Sequence, residues 1–102
     1  MRLKANVNLS GLHLSMRPVL VAAEAIWKQL GITEGVTVTS ALDGLHSAGS
    51  LHYYGRALDF RIRYFKNNAE CEAADLLKKA LSEDYDVILH KTHIHVEYDL
   101  KE

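Results

Sequence analysis

The stretch "DVILHKTHIHVEYD" (Asp86–Asp99) decides the fold. Two runs rich in branched and aromatic residues, "DVIL" and "HIHVEY", flank a short polar segment around Lys91, which is the pattern of two strands joined by a tight turn. Side chains alternate between the two faces of a strand. Ile94, Val96 and Tyr98 therefore share one side, and His93, His95 and Glu97 share the other. The same alternation runs through "ALDFRIRY" (Ala57–Tyr64), with Leu58, Phe60, Ile62 and Tyr64 on one side and Asp59, Arg61 and Arg63 on the other. Each strand thus carries an apolar face suited to burial and a polar face of acids, bases and imidazoles. If both belong to one sheet, Asp59 gathers with the histidines on its uncovered side.

Outward from these strands, Val19, Leu20, Ala23, Ile26, Trp27 and Leu30 recur at helical spacing and predict a helix from Arg17 to Leu30. Pro18 falls in its first turn, where the missing N–H costs nothing, and Gly31 is its stop signal. "VTVTSA" (Val36–Ala41) reads as a strand and "DGLHSAGS" (Asp43–Ser50) as a loop. Asn67 opens a second helix, with Glu70 as its capping-box partner and Ala73, Ala74, Leu77, Ala80 and Leu81 as its buried stripe. A further short strand is expected in "KANVNL" (Lys4–Leu9). The predicted fold is a small α+β domain, a largely antiparallel sheet with helices on one face and a polar groove on the other.

With 102 residues the chain is expected to be one domain, 1–102, able to bury a core without staples. A net charge of −1 gives no electrostatic reason to expect nucleic acid or an acidic membrane as partner. The single cysteine, Cys71, excludes an internal disulfide and is expected to be a small buried residue of the second helix. No run approaches the ~18 apolar residues of a membrane span. "MRLKANVNLS" has a basic start but no apolar core, so no secretory signal is expected and the protein reads as cytoplasmic when synthesised.

The chemistry is concentrated in two places. Three of the six histidines stand at 90, 93 and 95, and "SLHYYGRALDF" (Ser50–Phe60) puts His52 seven residues before Asp59, with Gly55 allowing the turn between them. Imidazole and carboxylate are the donors of catalytic zinc sites, commonly three protein ligands with water in the fourth position. His52, Asp59 and one of His93 or His95 would make such a set. Spacing alone equally allows solvated surface residues.

"SLHYYGRALDF" also carries Ser50, His52, Gly55, Ala57 and Asp59 in an S-x-H-x-x-G-x-A-x-D pattern. In this it resembles the zinc D,D-carboxypeptidase and L-alanyl-D-glutamate endopeptidase superfamily. With "VTSALDG" before it and "HKTHIHV" after it, the chain looks still more like the signalling domain of Hedgehog proteins, which share that fold. The likeness runs from Gly31 to Tyr98, about two-thirds of the chain. It implies His52, Asp59 and His95 as ligands of Zn²⁺, with His93 lining the site beside the metal, His46 at the mouth of the groove and Ser50 as a donor steadying the ligands.

The fit is incomplete where a peptidase needs its general base. The resemblance places an acid three residues before the last histidine ligand, or a glutamate six before it; this chain has Thr92 and Leu89 there. His90, one residue out of step, is the replacement, since an imidazole with an unperturbed pKa of about 6.5 is a competent acid–base group. Glu97, two residues past His95 on the same face, is a further candidate for the base, but reads first as an ion-pair partner for Arg61 or Arg63. Those arginines could instead bind a substrate carboxylate, because the substrate-gripping arginine of many cell-wall enzymes is missing: "TSALDG" has Leu42 and Asp43 in its place. The acidic calcium cluster of Hedgehog domains is not recognisable either, so zinc alone is expected.

The resemblance implies a monomeric zinc peptidase acting on peptidoglycan stem peptides. His90 would carry the proton, and His93 with His46 would stabilise the oxyanion. A minimal domain without a wall-binding module suits a phage or prophage enzyme released through a separate membrane lesion. The alternative is a Hedgehog-like zinc domain that has lost catalysis and binds a peptide or protein. A third reading, a histidine-rich domain with no metal, follows if the three donors do not converge.

Overall fold

Alternating strands need a partner layer for their apolar faces, and the computed structural model, which describes residues 1–41 and 56–99, provides it. Within those residues five strands, β1 (Arg2–Leu3), β2 (Thr37–Ser40), β3 (Ala57–Arg61), β4 (Tyr85–Leu89) and β5 (His93–Tyr98), form one sheet in the spatial order β1-β2-β3-β5-β4. Two helices, α1 (Arg17–Gln29) and α2 (Ala69–Ala80), complete an α+β fold. The sheet is mixed rather than purely antiparallel, because β1 pairs with β2 in parallel. The strand expected in "KANVNL" is instead this two-residue edge at Arg2–Leu3.

Register explains the core. Leu58 lies opposite Val96 and Phe60 opposite Ile94 across β3 and β5, and Val87 lies opposite Val96 across β4 and β5. All are buried in one cluster with Val19, Ala23, Ile26 and Trp27 of α1 and Ala73, Ala74 and Leu77 of α2. Burying each large apolar side chain contributes about 1.5–3 kcal/mol. Trp27 meets Phe60 and Phe65 edge to face, with ring centroids 5.7 and 5.2 Å apart. Both helices therefore cover the apolar face, and the face bearing Asp59, His93 and His95 is left to other contacts.

The helix ends show where local rules held. Past the end of α1, Gly31 has φ +74°, its N–H donates to the Lys28 carbonyl at 3.1 Å, and the Ile32 N–H donates to the Trp27 carbonyl at 2.9 Å. These are the paired bonds of a Schellman stop, and the left-handed residue is the one that lacks a Cβ. At α2 the expected capping box does not form. Asn67 and Asn68 both adopt left-handed backbone, φ 57° and 60°, and the helix begins at Ala69 with no side-chain cap. Asparagine tolerates that region, so the pair makes a turn where the sequence suggested a cap. Glu70 and Glu72 in the first turn and Lys78 and Lys79 in the last still complement the helix dipole.

Three other expectations change. β3 stops at Arg61, so Arg63 is an exposed turn residue rather than a strand neighbour of Asp59. Tyr64 follows the turn and donates its hydroxyl to the Gly35 carbonyl at 2.9 Å, with Thr37 Oγ1 at 2.8 Å. Cys71 and Ala80 lie on α2 but on its exposed side.

Candidate metal centre

The pairing of β3 with β5 sets Asp59 directly opposite His95 and Arg61 opposite His93. Directly paired residues share a face, so the donors collect on the side away from the helices. Asp59 is flanked by Leu58 and Phe60, both fully buried, which pin the strand and aim the carboxylate outward. At β2 the register slips between Val38 and Ser40, and Ser40 comes opposite Asp59. Such irregularities re-aim side chains beside functional sites.

The geometry is close. Asp59 Oδ1 lies 2.7 Å from His95 Nδ1, and Asp59 Oδ2 lies 3.8 Å from His93 Nε2. On the other side of the His95 ring, Nε2 lies 2.7 Å from Glu97 Oε1. The side chains of Asp59 and His95 are only 17% and 15% exposed, so this contact is largely shielded from water. The His95 pKa is raised above 6.5, first by the hydrogen bond to Asp59, with the Glu97 bond and both carboxylate charges adding to it and burial opposing it. Without metal the two carboxylates therefore favour an imidazolium that donates to both of them.

A zinc ion would replace the proton shared by Nδ1 and Asp59. Tetrahedral ligands at 2.0–2.2 Å from an ion stand about 3.3 Å apart, so the two donors must separate by about 0.6 Å. That is a small side-chain adjustment, and mixed imidazole and carboxylate donors suit zinc. The residues described fit the ion with two ligands of the expected three. The third, His52, lies outside the described residues, as do His46 and Ser50.

His90 and His93 sit beside this pair. His90 stacks on His93, ring centroids 4.7 Å apart and planes 29° from parallel, and meets His95 edge-on at 6.2 Å. The turn between β4 and β5 builds this cluster, closed by the His90 N–H donating to the His93 carbonyl at 2.8 Å. Thr92 Oγ1 lies 3.0 Å from His93 Nδ1. Leu89 pairs with Ile94 and belongs to the apolar side, away from the site.

Glu97 does not pair with arginine as the sequence suggested. Register puts Ala57 opposite Glu97 and leaves Arg61 four residues along β3, about 13 Å away, while Arg63 has left the strand. Its partner is His95, two residues before it on the same face, a spacing visible in the sequence. The structure also gathers Asp86, Glu97 and Asp99, whose donor atoms lie within 4.8 Å of one another. Asp86 is directly opposite Glu97 in the hairpin. These are three carboxylates, hard oxygen donors unlike a zinc set.

Among the described residues no helix is long and apolar enough to cross a membrane. No protein-family model, no curated protein and no solved structure matches this chain.

Proposed function

We propose that the chain is a zinc-dependent peptidase that hydrolyses peptidoglycan stem peptides, of the D,D-carboxypeptidase or endopeptidase type that its motifs resemble. The observation that supports this most is the 2.7 Å contact of Asp59 with His95, residues 36 apart in sequence and both placed on the polar face. Asp59, His95 and His52 would hold the ion. Bound there, zinc supplies a Lewis acid for the scissile carbonyl and lowers the pKa of water.

The chain's own residues then divide the proton work. With the Thr92 hydroxyl donating to His93 Nδ1, that ring would carry its proton on Nε2, which faces the Asp59 side and would donate to a developing oxyanion. His90, stacked on His93 and exposed, takes a proton from the attacking water and returns it to the leaving amine. His46 would join His93 at the oxyanion. On this reading the enzyme is a monomer from a phage or prophage, acting at the cell wall after release.

One observation favours the second reading, a zinc domain that binds a peptide or protein without cutting it. Leu89 is on the apolar side and Thr92 is engaged with His93, so neither position where the resemblance expects an acid supplies one. Metal content of the purified protein, followed by digestion of purified peptidoglycan, separates the two. The enzyme reading expects one zinc per chain and soluble peptides from wild type, with a fall of about 10²-fold or more in His90→Ala. Zinc without product supports the binding domain, and no zinc refutes both.

A further inference from the structure

Resting on the metal reading above, we infer that Glu97 is a positioning residue: it holds His95 by Nε2 and so commits Nδ1 to the metal. The two nitrogens of an imidazole point in diverging directions, and the hydrogen bond made by one decides which lone pair the other offers. Here Nε2 is 2.7 Å from Glu97 Oε1, and Nδ1 is 2.7 Å from Asp59 Oδ1. An ion held by Asp59 and His95 would therefore take the Nδ1 lone pair, with Glu97 accepting the Nε2 proton from across the ring.

The placement also excludes Glu97 as the general base. Its oxygen is on the far side of His95 from Asp59, so it cannot reach water held between those ligands. The acidic surroundings strengthen the clasp. Asp86 and Asp99 come within 4.8 Å of Glu97, and their like charges favour turning its carboxylate toward the His95 imidazole. Glu97 is only 21% exposed, shielded enough for such a bond to be held rather than exchanged with water.

Two measurements test this. Zinc affinity is read by competition with a chromophoric chelator for wild type, Glu97→Ala and Glu97→Gln, each checked for native circular dichroism. The Ala variant should lose about 10–100-fold in affinity. The Gln variant, whose amide oxygen still accepts from Nε2–H, should recover part of that loss. In parallel, nitrogen-15 spectra of the imidazole rings in zinc-loaded wild type should show His95 carrying its proton on Nε2, a signature that needs no variant to fold. Wild-type zinc binding with an unchanged Glu97→Ala affinity overturns the role of Glu97 and leaves the metal reading standing. So does a His95 proton found on Nδ1, or a folded Gln variant no better than Ala. A wild type that binds no zinc overturns both.

Discussion

Replacing Asp59 by asparagine changes one charge and almost no volume, so it isolates what the carboxylate does. In the metal-free protein the amide oxygen can still accept from His95 Nδ1 at 2.7 Å. An ion pair between imidazolium and carboxylate becomes a bond from the imidazolium to a neutral oxygen, a cost of about 1 kcal/mol. With zinc the difference is larger. If zinc binds as proposed, a free concentration 100 times the dissociation constant stabilises wild type by about 2.7 kcal/mol, a rise in Tm of about 10–20 °C for a domain of this size. A 100-fold loss of affinity in Asp59→Asn leaves about 0.4 kcal/mol at the same concentration, a rise of a few degrees. Differential scanning calorimetry of both proteins, in chelator and in zinc, reads the two effects side by side. Equal zinc-induced shifts in wild type and variant would refute the assignment of Asp59 as a ligand.

Other expectations follow from the same coordinates. The raised pKa of His95 means that, between its unfolded and folded values, the native state binds more protons than the unfolded chain. Its contribution to stability in the metal-free protein is full below about pH 6.5 and is lost as pH rises through the folded pKa. Urea unfolding should therefore give wild type less stability at pH 9 than at pH 6, and His95→Gln should lack that component; parallel profiles would contradict it. Phe60→Ala, on the buried side of β3, should cost about 3–5 kcal/mol by denaturant titration while the folded fraction keeps its zinc stoichiometry. Gly31→Ala should cost about 1–2 kcal/mol, because a Cβ is placed on left-handed backbone although nothing crowds it. A smaller loss would mean that the helix stop relaxes.

Much of this architecture could be read from alternation. A period of two leaves no freedom once one residue is placed, so it puts the apolar residues of β3 and β5 on one face and Asp59 and His95 on the other. α1 was legible because its stripe, proline and glycine all point to the same boundaries. Elsewhere one signal competed with another. Asn67 reads as a cap, but two consecutive asparagines can form a left-handed turn, and they do. β1 has two residues, too short for any periodic pattern. Alternation alone does not give the partner of Glu97, because cross-strand neighbours depend on register, which composition does not reveal, while a neighbour two places along the same strand is certain to share its face. The acidic group at Asp86 was within reach: a turn centred near Lys91 already sets Asp86 opposite Glu97.

The strand order has a consequence for how the molecule assembles. β4 and β5 are joined by a tight turn and can zip together early, as local hairpins do within microseconds. That step unites His90, His93, His95 and Glu97 without Asp59. On that route the carboxylate and the imidazole meet when the finished hairpin docks edge-on against β3, closing a loop across α2. An ion that needs both can reward only the late stage of this route, so zinc should slow unfolding while leaving the rate of hairpin formation untouched.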